Sequence, residues 1–479
     1  VARVLVVDGG GGERGGEGEG GGEGGGERGG ERGGERGGGG EGADPGEVRV
    51  ARWSELPDPA ARPPELTPRR RGDDATIVYS SGTGGRPKGC VLTHEAYLAQ
   101  LEGLLELFPM GVGDRYLSIL PTNHAIDFMC GFVGPFAGGA TVLHQRTLRP
   151  EFILETMRQA RVTHMAVVPL VLEAFERGLD EGLAAEPTWR QRAVAGLTHL
   201  NGWLTAARPR PALSRALLGP LQARFGGHLR LLFCGGAFTD RRRAERFYAM
   251  GLPVVIGYGL TECCTVATVQ DMKPFRADSV GRPVPGVEVR VADPGPDGVG
   301  EVLIRGRTLM RGYLDDPELT AETLVDGWLR TGDLGRLDAS NHLHLVGRRK
   351  NMVVTPGGKN VYPEDIEQAF AELPCEELVV FATDYLWPRS GLVGETLLAV
   401  LRLGEGRDRQ AALGALHRAN RRLADFKRVS GALLWTEPFP RTASMKVKRE
   451  LLAESIRRGA TRESVVPLAE LEPAAGRLL

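Results

Sequence analysis

The chain reads as an α/β protein, with a large N-terminal domain of helix-covered, mainly parallel sheets and a smaller α+β domain behind it. Three observations predict this. Apolar strand-like runs (YLSILP, ATVLH, THMAVVP, LRLLFCGG and PVVIGYG) alternate with helical patterns such as Glu151 to Ala160. That alternation argues for a parallel sheet covered by helices. The stretch from Asp278 to Gly347 instead carries short strands and Gly/Pro turns (GRPVPGVEVRV, GEVLIRG, HLHLVGR), which predict a small antiparallel β region. Beyond Lys350 a smaller α/β pattern follows, with strands ELVVFAT and TLLAVLRL and helices at Ala411 to Leu423 and Lys446 to Arg457.

The 479 residues suffice for two or three domains with substantial cores. With 41% hydrophobic and 25% charged residues, the composition is that of an ordinary globular protein. The formal net charge of −1 gives no electrostatic case for nucleic acid or an acidic membrane as main partner. Six cysteines are scattered without a CxxC or metal-ligand spacing, as expected of buried thiols in a reducing compartment. Apolar runs fall short of a membrane span, and the first residues lack a basic-then-apolar signal pattern. The expected location is cytoplasmic, with no transmembrane segment.

In chain order, residues 1–8 (VARVLVVD) predict one β-strand. Gly9 to Gly42 holds only Gly, Glu and Arg. Such a tract has nothing apolar to bury and is expected to be disordered. An RGG-type nucleic-acid arm is the sharper alternative, but Glu outnumbers Arg and no aromatic is present for stacking. Residues 1–46 are therefore assigned as a strand fragment and linker. Normal composition resumes at Glu47, so 47–347 is assigned as the N-terminal domain and 348–479 as the C-terminal one.

Tyr79 to His94, YSSGTGGRPKGCVLTH, is the stretch most suited to an anion. It follows a β-like run, and Ser80, Ser81, Gly82, Thr83, Gly84 and Gly85 predict a tight turn. Glycines let the backbone approach phosphate oxygens while hydroxyls and N–H groups donate to them. Lys88 adds a mobile positive charge. A Walker A loop is excluded, because Pro87 and Gly89 flank the lysine where Gly and Ser/Thr are needed.

Four further segments carry candidate chemistry. IGYGLTE (Ile256 to Glu262) follows a strand and ends in a carboxylate, the kind of ligand Mg²⁺ accepts. LRTGDLGRL (Leu329 to Leu337) puts Asp333 on a glycine turn, where its carboxylate can accept two ribose hydroxyls. GRRKNMVVTPGGKNVYPEDIE joins a basic cluster to a Gly-Gly turn and a helix start, and PRTASMKVKRE offers lysines before the terminal helix. Taken singly, a helix-cap carboxylate, a turn-forming Asp and a solvated basic face explain them as well.

Together and in this order, these segments resemble the adenylate-forming (AMP-binding) superfamily, most closely the bacterial medium- and long-chain fatty acyl-CoA synthetases. The resemblance runs from about Asp74 to Glu450. It implies a large adenylate-forming domain closed by a small C-terminal lid. Ser81, Gly82, Thr83, Gly85 and Lys88 would cradle the β- and γ-phosphates of ATP, while Gly235, Gly236, Ala237 and Tyr258 would line the adenine pocket. Thr261 would touch the α-phosphate, and Glu262 would hold Mg²⁺. Asp333 would bind both ribose hydroxyls with support from Arg348. Lys350 falls at the family's hinge, and Lys446 matches the lysine that enters for adenylate formation. His124 stands where the family often has a His beside the substrate carboxylate.

The implied reaction is ATP-dependent activation of a carboxylic acid, most like a medium- or long-chain fatty acid, followed by transfer to CoA. Two alternatives stand beside it: a ligase loading an acyl carrier protein, and a truncated, non-catalytic homologue that only binds ligand. Retention of Lys88, Glu262, Asp333, Arg348 and Lys446 favours catalysis. His342 and His344 place both rings on one face of a strand and are assigned no metal. Cys263 and Cys264 are assigned as packing residues on an expected helix.

The chain departs from the family pattern at three places. Gly84 replaces a second Thr, removing a charge-assisted hydrogen bond worth roughly 1.5–3 kcal/mol. Met445 replaces the Gly before Lys446, at about 1–3 kcal/mol of strain if that position needs positive φ. The phosphate loop begins at Tyr79, whereas the family reaches it after a complete N-terminal subdomain. Much of that subdomain is therefore expected to be missing, leaving exposed sheet edges.

Overall fold

The computed structural model describes residues 4–6, 68–80, 87–145, 147–354, 360–388, 396–404, 406–442 and 447–468. The Gly9–Gly42 tract lies outside them, and so do Ser81, Gly82, Thr83, Gly85, Met445 and Lys446.

The alternating apolar runs form one eight-stranded sheet. Its order is Val4–Val6, Thr141–His144, Arg115–Ser118, His164–Val167, Leu231–Cys234, Val254–Tyr258, Thr268–Val269 and Arg282–Pro283. The first six strands run parallel and the last two turn antiparallel. Buried strands such as His164–Val167 contribute every residue to the interior, which is why they read as continuous rather than alternating apolar runs. Helices Pro150–Gln159, Pro169–Ala184 and Pro211–Ala223 each start on a proline, whose fixed φ and missing N–H suit a first helical turn. Phe175, Phe225 and Phe247 pack edge-to-face at 5.5 and 6.2 Å within the largest core.

Two smaller sheets stand beside it. Asp74–Ser80, Lys88–Thr93 and Gly312–Tyr313 form a three-stranded antiparallel sheet. Thr93 then caps helix His94–Leu107 by accepting from the Ala96 N–H at 3.2 Å, which fixes where the helix begins. Val287–Ala292, Gly300–Gly306, Trp328–Leu337, Leu324–Val325 and Leu343–Arg348 make the antiparallel region expected from the Gly/Pro turns.

The C-terminal part holds Glu377–Ala382, Leu397–Arg402, Val429–Trp435 and Val466–Pro467 in one sheet. Neighbouring residues alternate between two cores. Val380, Leu397, Ala399 and Leu401 face helices Pro363–Ala369 and Arg409–Asn420, while Val379, Phe381, Leu398 and Val400 face helix Arg449–Gly459. Both faces are covered, so LLAVL has no polar position. Among the described residues no helix is long and apolar enough to cross a membrane.

Candidate active site

The site is organised by one turn. Strand Val254–Tyr258 ends in the middle of the large sheet, and the chain doubles back at once. Leu260 C=O accepts from both Cys263 and Thr265 N–H groups at 3.1 Å. A Cβ on Gly259 would stand 2.0 Å from the Thr265 carbonyl oxygen, so this close return requires glycine. The expected helix through Cys263 and Cys264 does not form. A single 3₁₀ turn, Thr261–Cys263, gives way to positive φ at Cys264 (56°) and Thr265 (104°). The backbone is diverted because the following residues must re-enter the sheet at Thr268–Val269. Both cysteines are fully buried, as packing residues are.

At the start of this turn, the Tyr258 hydroxyl donates to Asp333 Oδ2 at 2.7 Å. Arg348 Nε pairs with Asp333 Oδ1 at 2.8 Å, from the residue directly opposite in the antiparallel ladder. Gly332, at φ +68°, turns the chain just before Asp333, whose N–H donates to Thr331 Oγ1 at 3.0 Å. Asp333 is 5% exposed. Burial, and then the Asp333 charge, push the Tyr258 phenol well above its ordinary range, so it stays a donor. Each carboxylate oxygen has two acceptor sites. Tyr258 and Arg348 use one on each, which leaves one on each for two further donors.

At the other end, Glu262 Oε1 accepts from the Tyr313 hydroxyl at 3.0 Å. Tyr313 arrives on the strand pairing with Lys88–Thr93, and Lys88 Nζ lies 5.3 Å from its ring centroid. Cys90 faces the same group. Burial first, and the Glu262 charge second, push its thiol up to about 12 against the opposing pull of Ser80 and Lys88. Gly235 and Gly236 follow the adjacent strand Leu231–Cys234. A Cβ on Gly235 would lie 3.2 Å from the Gly257 carbonyl oxygen and 3.4 Å from Ile126 Cδ1. Gly236 (φ +83°) and Ala237 are exposed beside them.

The structure therefore brings Lys88, Gly235, Tyr258, Thr261, Glu262, Asp333 and Arg348 together around residues 257–262. His124 lies on the Pro121–His124 turn, two residues before Ile126. Lys350 is placed elsewhere: its Nζ pairs with Glu450 at 3.8 Å at the start of helix Arg449–Gly459. Burial lowers its affinity for a proton, and Glu450 partly restores it. His342 and His344 both reach Asp338, at 3.5 and 3.2 Å. Sequence reasoning missed Tyr313. Its local signal, RGYLDD, is a turn pattern, and only strand pairing shows that it meets Glu262.

Comparison with known proteins bears on the family. Residues 40–314 match the family described as AMP-binding enzyme. The long-chain-fatty-acid–CoA ligase FadD15 of Mycobacterium bovis is 31% identical over 338 residues, 68% of this chain and 55% of that protein. The chain thus spans little more than half the length of that relative. The indoleacetate–CoA ligase of Aromatoleum aromaticum is 28% identical over 84% of this chain and 70% of its own length. Among solved structures, ATP-bound MatB from Rhodopseudomonas palustris superposes with a TM-score of 0.63 at 26% identity, covering 81% of this chain and 69% of that one. With more than half of its residues inside the family match, the chain belongs to the AMP-binding enzyme family.

Proposed function

We propose that the chain activates a carboxylic acid with ATP, forming an acyl-adenylate and pyrophosphate, and then transfers the acyl group to the CoA thiol in the cytoplasm. The observation that carries this reading is Asp333: a buried carboxylate oriented by Tyr258 and Arg348, with one acceptor site left on each oxygen. Two vicinal ribose hydroxyls match that pair of sites. Gly235 and Gly236 give a flat, side-chain-free surface on which adenine can lie.

At the far end of the turn, Lys88 supplies positive charge for the phosphates, joined in this reading by Ser81, Gly82, Thr83 and Gly85. Glu262 suits Mg²⁺, a cation bound by one or two carboxylates together with substrate phosphates. Among the described residues no cluster of three His, Cys, Asp or Glu is placed to hold a metal ion. When bound, Mg²⁺ would offset negative charge on the phosphates.

The substrate carboxylate oxygen attacks the α-phosphorus, the bond to the bridging oxygen breaks, and pyrophosphate leaves. In this reading Thr261 and Lys446 would stabilise the charge that develops, and His124 would orient the attacking carboxylate. In the second half-reaction the CoA thiol attacks the acyl carbon and AMP departs. Residues 348–479 act as a lid over 47–347, hinged at Lys350, and exclude water from a hydrolysable mixed anhydride. A fatty acid is the preferred substrate. Phe128, Phe132 and Phe136 follow one another beyond Ile126, the first pair tilted at 6.3 Å and the second stacked at 5.8 Å, an apolar wall suited to an alkyl chain.

ATP–pyrophosphate exchange with a panel of C2 to C18 and aryl acids tests the reading. Exchange driven by one range of acids supports it and names the substrate. A folded protein giving no exchange with any acid overturns it.

A further inference from the structure

Asp127 is a fully buried carboxylate that the proposed reaction does not use. Among the described residues no Lys or Arg forms an ion pair with it, so its burial is offset by hydroxyls instead. Ser118 Oγ donates to Oδ1 and Oδ2 at 3.0 and 2.8 Å, and Thr122 Oγ1 donates to Oδ2 at 3.1 Å. Ser118 ends the strand Arg115–Ser118, and its Oγ also lies 3.1 Å from Nδ1 of His144, which ends the neighbouring strand.

The helix is shaped around this group. Asp127–Val133 is a π-helix, a form concentrated at functional sites. One turn on, a Cβ on Gly131 would stand 2.3 Å from Asp127 Oδ1. Only glycine leaves room for the carboxylate to fold back toward the strand ends. Thr122 lies within the Pro121–His124 turn, closed by a His124 N–H bond to the Pro121 carbonyl at 2.9 Å. One carboxylate therefore ties that turn to the carboxyl ends of two parallel strands, beside the point where Ile126 meets Gly235.

We infer that Asp127 is a positioning residue: through Thr122 it fixes the turn that presents His124 and Ile126 to the acid substrate. The inference rests on the adenylation reading, in which His124 faces the substrate carboxylate. A purely structural anchor would alter stability and leave substrate affinities alone, or disturb acid and ATP alike. A positioning role acts on the acid alone.

The test is Thr122→Val, which keeps shape and removes the hydroxyl, beside Thr122→Ser, which restores it. In exchange assays, Thr122→Val is expected to raise KM for the acid about tenfold, the size of one lost hydrogen bond to a charged group. KM for ATP should stay near wild type, and Thr122→Ser should return the acid KM. Asp127→Asn should shift the acid KM in the same direction. An unchanged acid KM, or equal rises for acid and ATP, overturns the inference. If the wild type exchanges with no acid, the adenylation reading falls, and the His124 imidazole resonances, assigned by their loss in His124→Gln, decide the anchoring. Resonances moved by Thr122→Val and restored by Thr122→Ser support it, while identical spectra overturn it.

Discussion

Tyr258 and Asp333 meet at 2.7 Å across 75 positions of sequence, and Arg348 completes the contact from the facing strand. If these side chains prepare Asp333 for two ribose hydroxyls, Asp333→Ala should weaken ATP binding by at least tenfold. Hydrogen bonds to charged groups contribute about 1.5–3 kcal/mol each. Calorimetric titration with ATP and 2′-deoxy-ATP provides the check. The wild type should discriminate between the two ligands, and Asp333→Ala should not. Equal discrimination in both proteins would remove Asp333 from the ribose.

The pH dependence of that binding has a definite sign. An ordinary phenol ionises near 10. Tyr258 is pushed well above this by burial and by the Asp333 charge. It therefore remains a donor through alkaline pH, and ATP affinity should not fall between pH 8 and 10 on its account. A fall that disappears in Tyr258→Phe would show a phenol of ordinary acidity.

Tyr313→Phe removes the hydroxyl that holds Glu262 Oε1 and keeps the ring near Lys88. The Mg²⁺ concentration giving half-maximal exchange should rise several-fold, with little change in stability. An unaltered Mg²⁺ titration would separate Tyr313 from the metal-binding role proposed for Glu262.

Asp127 should make stability depend on pH. Burial raises its pKa from 3.8, with Ser118, Thr122 and the His144 charge opposing that rise. Tyr116 and Cys130 also face this group and are themselves pushed up by burial. A folded-state pKa above the unfolded one contributes stability that is present below about 4 and is lost as pH rises through the folded value. Asp127→Asn should therefore gain in Tm relative to wild type between pH 4 and pH 7. A difference independent of pH would contradict the assignment.

Much of the fold was legible because buried parallel strands announce themselves as continuous apolar runs, and LLAVL at Leu397 to Leu401 shows why. Its residues alternate between two cores, so no polar position survives. The candidate site was legible as motifs but not as an assembly. Asp333 reaches Tyr258 only through the bulged pairing of Trp328–Leu337 with its neighbours, and Tyr313 reaches Glu262 only through a two-residue strand. The helix expected at Cys263 and Cys264 failed for a reason no periodicity carries: Gly259 must pack on the Thr265 carbonyl. The π-helix at Asp127 was hidden for the same kind of reason, since Gly131 looks like any helical glycine until the carboxylate beside it is seen.

An acyl-adenylate is an electrophile, and any protein that makes one risks modifying itself. Cys90 stands beside Glu262, yet burial and that charge push its pKa up to about 12, so it stays a thiol at neutral pH. Burial likewise raises Cys130 and Cys263 to about 12 and Cys234 and Cys375 to about 11, and lifts Cys264 well above its ordinary value. In the proposed reaction these raised pKa values would keep the chain's own sulfurs as thiols, so that an incoming thiol would be the favoured nucleophile for the activated carbon.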